Sequence, residues 1–97
     1  MDEITQHSII QRNEDNYLFT EVDGETVLMH TTSGAYFGMN KQATSIWNLI
    51  KERTQIEHLV NKLVEQFDVD RETCLQESMD LLRVLYNRNM LLVSLAS

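Results

Sequence analysis

His7, His30, His58 and Cys74 are the side chains of this chain best suited to hold a metal ion or attack a carbonyl carbon. A metal site needs ligands in close pairs, as in His-x-x-x-His, or a cluster of carboxylates around them. The histidines fall instead on three separate segments: the amino-terminal end, an apolar alternating run and an amphipathic run. Cys74 is the only cysteine, which rules out an internal disulfide and a cysteine-based zinc site. Between Thr73 and Leu75 it reads as a structural thiol of a helix. Ser33, Ser45, Ser78, Ser94 and Ser97 have no base at a convincing spacing. Glu65, Asp68, Asp70, Glu72, Glu77 and Asp80 have the pattern of helix caps and a solvated helix face. Glycine occurs only at 24, 34 and 38, so there is neither a dinucleotide fingerprint nor a phosphate loop. The expectation is a chain that catalyses nothing and takes no metal or cofactor.

What remains is binding, and composition narrows it. The chain has 97 residues, 42% hydrophobic and 24% charged, with a formal net charge of −7. That is one domain, 1–97, with an ordered core expected over about residues 7–93. An acidic balance argues against nucleic acid, whose affinity comes mainly from lysine and arginine. No apolar run approaches the roughly 20 residues that cross a bilayer, and Met1-Asp2-Glu3-Ile4-Thr5 has no signal-peptide core. The expected location is the cytoplasm, with no membrane partner. There is no proline, and nothing resembles a linker or a repeat.

The elements follow from the periods. Residues 1–6 are polar and read as a frayed end. His7 to Arg12 reads as a short strand, and Asn13-Glu14-Asp15-Asn16 as a turn. Tyr17 to Val22 alternates, with Leu18, Thr20 and Val22 opposite Tyr17, Phe19 and Glu21. Asp23-Gly24 is a hairpin signal, because both residues tolerate positive φ. In Glu25 to Thr31, Val27 and Met29 share one face, and Leu28 and His30 the other. Ser33-Gly34 turns the chain into Ala35-Tyr36-Phe37-Gly38-Met39. The first forty residues thus read as an antiparallel meander. Trp47 and Val27 both need partners, which directs Phe37 and Met39 to the core and Tyr36 to the opposite face. The backbone of Tyr36 and Gly38 is then left for another chain.

At Asn40 the period changes from two to 3.6. Asn40 is a good N-cap, and Ala43, Ile46, Trp47 and Ile50 form the apolar stripe of a helix over about Lys41–Glu52. Thr54-Gln55-Ile56-Glu57 reads as a capping box for a second helix with Ile56, Leu59, Val60, Leu63, Val64 and Phe67 inward. Asp70 caps a third helix to about Arg88, followed by an apolar tail, Met90–Val93. On the third helix Leu75, Ser78, Met79, Leu82, Leu85 and Tyr86 are central, and Cys74 and Leu81 widen the arc to about 160°. Two readings of that width stay open: a helix buried on both sides, or a helix with part of its arc lining an open groove. Strands followed by three helices give an α+β fold like a winged helix-turn-helix. A recognition helix in such a fold enters the DNA major groove. Here Arg71, Arg83 and Arg88 are offset by Glu72, Glu77 and Asp80, a poor phosphate footprint. The alternative is an edge strand that accepts an extended peptide through its unpaired backbone groups.

The run Leu18-Phe19-Thr20-Glu21-Val22-Asp23-Gly24-Glu25, then Val27-Leu28-Met29, Ser33 to Asn40, Ala43 and Ile46-Trp47, resembles the PqqD family. Phe67-Asp68-Val69 and the long third helix add to the likeness, which covers about residues 15–93. Tyr-Phe-Gly-Met-Asn followed by Ile-Trp is its best signature. Met39 stands where members usually carry Leu, and Lys41 where many carry a small residue or proline. The resemblance implies a non-catalytic recognition element for ribosomally made, modified peptides. It implies a free-standing protein like that of split lasso-peptide systems, working with a leader peptidase and an ATP-dependent macrocyclase. In that family the precursor's leader pairs with the third strand and lies beside the third helix. Carried over, the peptide-binding residues are Ala35, Tyr36, Phe37, Gly38 and Met39 on the strand. Leu75, Met79, Leu82, Arg83 and Tyr86 then form the wall, and the wide arc reads as half core, half groove. Arg83 borders that arc, either pairing with an acidic leader residue or simply solvated. The alternatives are a PqqD-like partner of a radical enzyme in quinone-cofactor biosynthesis and an acidic winged-helix transcription regulator. An unliganded edge also offers a route to a homodimer.

Overall fold

The computed structural model describes residues 4–94; residues 1–3 and 95–97, Ser97 among them, lie outside the described residues. The alternating runs form β2 (Tyr17–Val22), β3 (Glu25–His30) and β4 (Tyr36–Met39), an antiparallel sheet in the order β2-β3-β4. Asp23 (φ 54°) and Gly24 (φ 81°) make the tight β2–β3 turn that their types require. At the next turn Gly34 has φ 75°, and its N–H donates to the His30 carbonyl at 2.8 Å. Leu28, Thr26 and Met39 face the core, while Leu18, Val22, Val27 and Tyr36 remain on the open face. Val27 therefore lies on the same face as Tyr36 and has no place in the core.

The helices are α1 (Lys41–Leu49), α2 (Ile56–Phe67) and α3 (Arg71–Asn87). Asn40 caps α1, its side-chain oxygen accepting from the Ala43 N–H at 2.9 Å. Asp70 caps α3 through the Thr73 N–H at 3.0 Å, and that bond holds its carboxyl below the usual pKa. Helix α3 ends where Asn89 adopts φ 59°, letting the Met90 N–H close on the Leu85 carbonyl at 2.8 Å. Asn40→Ala is expected to lower stability by about 1 kcal/mol, the ordinary worth of a cap, read as a shift in the urea midpoint at constant slope.

Five expectations change. Residues 4–6 are held rather than frayed: Ile4 is 5% exposed in the core, and the Gln6 carbonyl accepts from the Glu57 N–H at 2.9 Å. The first strand exists as β1 (Ile9–Arg12) but lies outside the meander: it is the middle of a second sheet, between β5 (Thr54–Gln55) and β6 (Leu91–Ser94). Ile10, 1% exposed, belongs to the core between them. The apolar tail is accordingly β6, with Ile10 opposite Val93 and Arg12 opposite Leu91. Helix α1 stops at Leu49 because the next carbonyls turn outward; that of Ile50 accepts from the Arg12 N–H at 2.8 Å. The capping box does not form. Gln55 is the N-cap without a side-chain bond, and Thr54 donates to the Leu49 and Glu52 carbonyls. Two first-turn amides of α2 are satisfied instead by backbone, Ile56 by the Ser8 carbonyl and Glu57 by that of Gln6.

Arg12 ties the two sheets together. Its side chain is 7% exposed, its guanidinium lies 4.7 Å from the Phe19 ring and 5.0 Å from the Trp47 ring, and Glu14 pairs with it at 2.7 Å. It also donates to the Trp47 carbonyl at 3.2 Å. Phe19 meets Trp47 edge-on at 5.7 Å, fixing the β2-β3-β4 sheet against α1.

Candidate functional site

The site is built on β4. It is an outer strand, and the register decides which of its backbone groups are used. The His30 N–H donates to the Ala35 carbonyl at 2.8 Å, and the pairing continues Leu28 to Phe37 and Thr26 to Met39. Hydrogen-bonded and non-bonded pairs alternate in an antiparallel ladder. Ala35, Phe37 and Met39 therefore bond inward to β3, and the N–H and C=O of Tyr36 and Gly38 point to the free edge. Tyr36 is 73% exposed on the open face of the sheet. Gly38 has open space where a Cβ would stand, so nothing crowds the strand there.

Beside this edge lies a cleft of about 180 Å³, lined by Asn40, Gln42, Ala43, Ile46, Glu77, Ser78 and Leu81. The junction of β4 and α1 makes one side, and α3 the other. At the other end of β4, Arg88 stacks over the Phe37 ring, 4.7 Å from its centroid. The stripe of α3 on this side is therefore Glu77, Leu81, Val84 and Arg88, spaced i, i+4, i+7 and i+11, with Val84 exposed.

The expected strand residues fall where they were placed: Ala35 just before β4, then Tyr36, Phe37, Gly38 and Met39 on it, Phe37 and Met39 core-side. The expected wall on α3 does not. Leu82 is fully buried and Met79 is 8% exposed, so both belong to the core. Leu75 packs against the core from its margin, and Tyr86 is exposed, about 140° round the helix from Leu81. Arg83 pairs with Asp80 at 3.5 Å in solvent. It is about 160° round the helix from Leu81, given about 100° per residue. The wide apolar arc is thus mostly core, and the cleft takes its other edge. The signal available in the sequence is Leu81, which widens the arc on the side where the cleft lies.

The other candidate chemistry stays dispersed. His30 meets Tyr17 edge-on at 5.1 Å, and its Nδ1 accepts from the Ser33 N–H at 3.1 Å. His7 faces Glu57 at 3.6 Å, and Cys74 is buried beside Ser78. Among the described residues no group of three or more His, Cys, Asp or Glu is placed to hold a metal ion. No helix among them is long and apolar enough to cross a membrane.

Comparison with known proteins gives two matches of one kind. The family model described as coenzyme PQQ synthesis protein D (PqqD) matches residues 25–91, the span from β3 to the start of β6. Among solved structures, TbiB1 in complex with the TbiA(beta) leader peptide is similar at 32% identity and a TM-score of 0.73. The match covers 84% of this chain and 93% of that one. No curated protein matches the chain.

Proposed function

The chain belongs to the PqqD family, and from that we propose that it is a non-catalytic recognition protein binding the leader of a ribosomally made precursor peptide. The leader adds as a strand to β4 and lays alternate side chains into the cleft against α3. The protein then delivers it in the cytoplasm to a leader peptidase and an ATP-dependent macrocyclase of lasso-peptide biosynthesis. The observation that carries the reading is the free edge at Tyr36 and Gly38, with a cleft of mixed polar and apolar lining at the Asn40 end of the strand. The leader peptide on TbiB1 supports the same class of ligand. The family description favours a second reading, in which the partner enzyme is a radical enzyme of quinone-cofactor biosynthesis. Neighbouring reading frames separate the two: a transglutaminase-like peptidase and an asparagine-synthetase-like cyclase, or a radical enzyme. A DNA-binding role has little to stand on, because α3 buries Cys74, Ser78, Met79, Leu82 and Leu85 and exposes Glu72, Glu77 and Asp80.

The test is a titration of the ¹⁵N-labelled chain with synthetic leaders of the short precursors encoded beside its gene. Binding is expected to slow amide exchange at Tyr36 and Gly38, with little change at Phe37, which is already bonded to β3. Protection confined to β2, or no binding of any such leader, would remove strand addition at β4. Tyr36→Pro is expected to weaken binding about tenfold by deleting one outward N–H, with the fold retained, since an outer strand tolerates proline there. Phe37→Pro removes an inward bond and is expected to lower stability as well. The same edge is open to a second copy of the chain, so any homodimer formed through it should dissociate when leader is added.

A further inference from the structure

Arg53, Arg71 and Arg88 have no carboxylate partner among the described residues, and of these three Arg88 is the one stacked on a ring, that of Phe37 on β4. Arg12 is stacked and has Glu14 at 2.7 Å; Arg83 has Asp80 at 3.5 Å. Arg88 is exposed and stacked on Phe37, two turns of α3 beyond Leu81 of the cleft, and has no carboxylate partner among the described residues. Its aromatic contact holds the guanidinium in place, and a chain of net charge −7 leaves this cation without an anion.

The register of β4 states what would stand beside it. Residues directly across a ladder share a face of the sheet. Phe37 and Met39 point to the α3 side, so the residues of an added strand opposite them do too. Those opposite Tyr36 and Gly38 exchange backbone bonds and point away. A Cβ opposite Phe37 stands about 5 Å from the Cβ of Phe37, within reach of the Arg88 guanidinium for an Asp or Glu. Two residues along, a side chain opposite Met39 stands next to Asn40, at the end of β4 where the cleft lined by Ala43, Ile46 and Leu81 begins. That end of the cleft is also lined by Glu77, which repels an acid there.

We propose that Arg88 is a specificity residue that reads an acidic side chain of the bound peptide opposite Phe37, two positions from an apolar side chain seated in the cleft. This rests on the peptide-binding reading above, and the test separates the two. Randomised short peptides are displayed and selected on the full chain and on its Arg88→Glu variant, after circular dichroism shows that both are folded. The wild-type chain is expected to enrich an acidic residue two positions from an apolar one. Arg88→Glu is expected to replace that acid with lysine or arginine at the same position. For a peptide selected on the wild-type chain, Arg88→Ala should weaken binding roughly 2–5-fold, an exposed pair's worth, and Arg88→Lys should recover part of it. Peptides enriched equally on both chains, with no charge preference, would overturn the role of Arg88 and leave peptide binding standing. If neither chain enriches any peptide, the peptide-binding reading falls, and this inference with it.

Discussion

Leu82→Glu is expected to unfold the chain, and Leu81→Glu, one residue earlier, to keep the fold and lose the peptide. Leu82 is completely buried. A carboxylate there has no partner in the core, and burying a charge unpaired costs several kcal/mol even after the group neutralises. A domain of this size has only about 5–15 kcal/mol of stability in total. Leu81 is half-buried and lines the cleft beside β4, so a glutamate there reaches water and leaves the core intact. What it loses is the apolar wall, beside a cleft already bordered by Glu77; leader affinity should fall more than tenfold, about 1.4 kcal/mol. Far-ultraviolet circular dichroism and fluorescence anisotropy with a labelled leader read the two effects separately. A folded Leu82→Glu, or a Leu81→Glu that binds as the unmutated chain does, would place the cleft on the wrong side of α3.

Trp47→Ala should be the most damaging truncation in the core, costing about 3–5 kcal/mol, while Trp47→Phe should cost much less. The indole is fully buried and meets Phe19 on one side, with the Arg12 cation against its ring. Alanine leaves a cavity at that joint and strips Arg12 of one of its two rings, loosening the β2-β3-β4 sheet from α1. Phenylalanine keeps a ring under the guanidinium. It also removes the buried indole N–H, which has no acceptor among the described residues and is itself a cost. Urea midpoints from circular dichroism rank the three proteins; equal midpoints for Ala and Phe would mean that the joint contributes little.

Local chemistry made most of the architecture legible. Period two to Met39, Asn40 as a cap, Asp23-Gly24 as a turn and Asp70 before α3 are decided within a few residues, and each occurs as expected. Partners distant in sequence were not legible. Nothing in Ile9–Arg12 says that it pairs with Leu91–Ser94 rather than with the next strand, and nothing in Thr54 says that its hydroxyl serves α1. The site divided the same way. The free groups of β4 follow from alternation alone. Which margin of a wide apolar arc faces β4 depends on the roll of α3 in the core, which periodicity leaves open. Leu82, at the arc's centre, is core, while Leu81, at its margin, lines the cleft.

The pairing of β1 with β6 bears on how the protein is made. Asn13, just past β1, bonds through its side chain to the carbonyl of Asn89, 76 residues further along. At about 5–20 residues per second, a ribosome needs roughly 4–15 s to supply that partner. For that interval Ile10 has no β6 to close over it, although the hairpin, β4 and α1 are already synthesised. The nascent chain is therefore expected to acquire its docking edge before its core is sealed. Completion of the fold then waits until β6 has left the ribosome and can pair with β1.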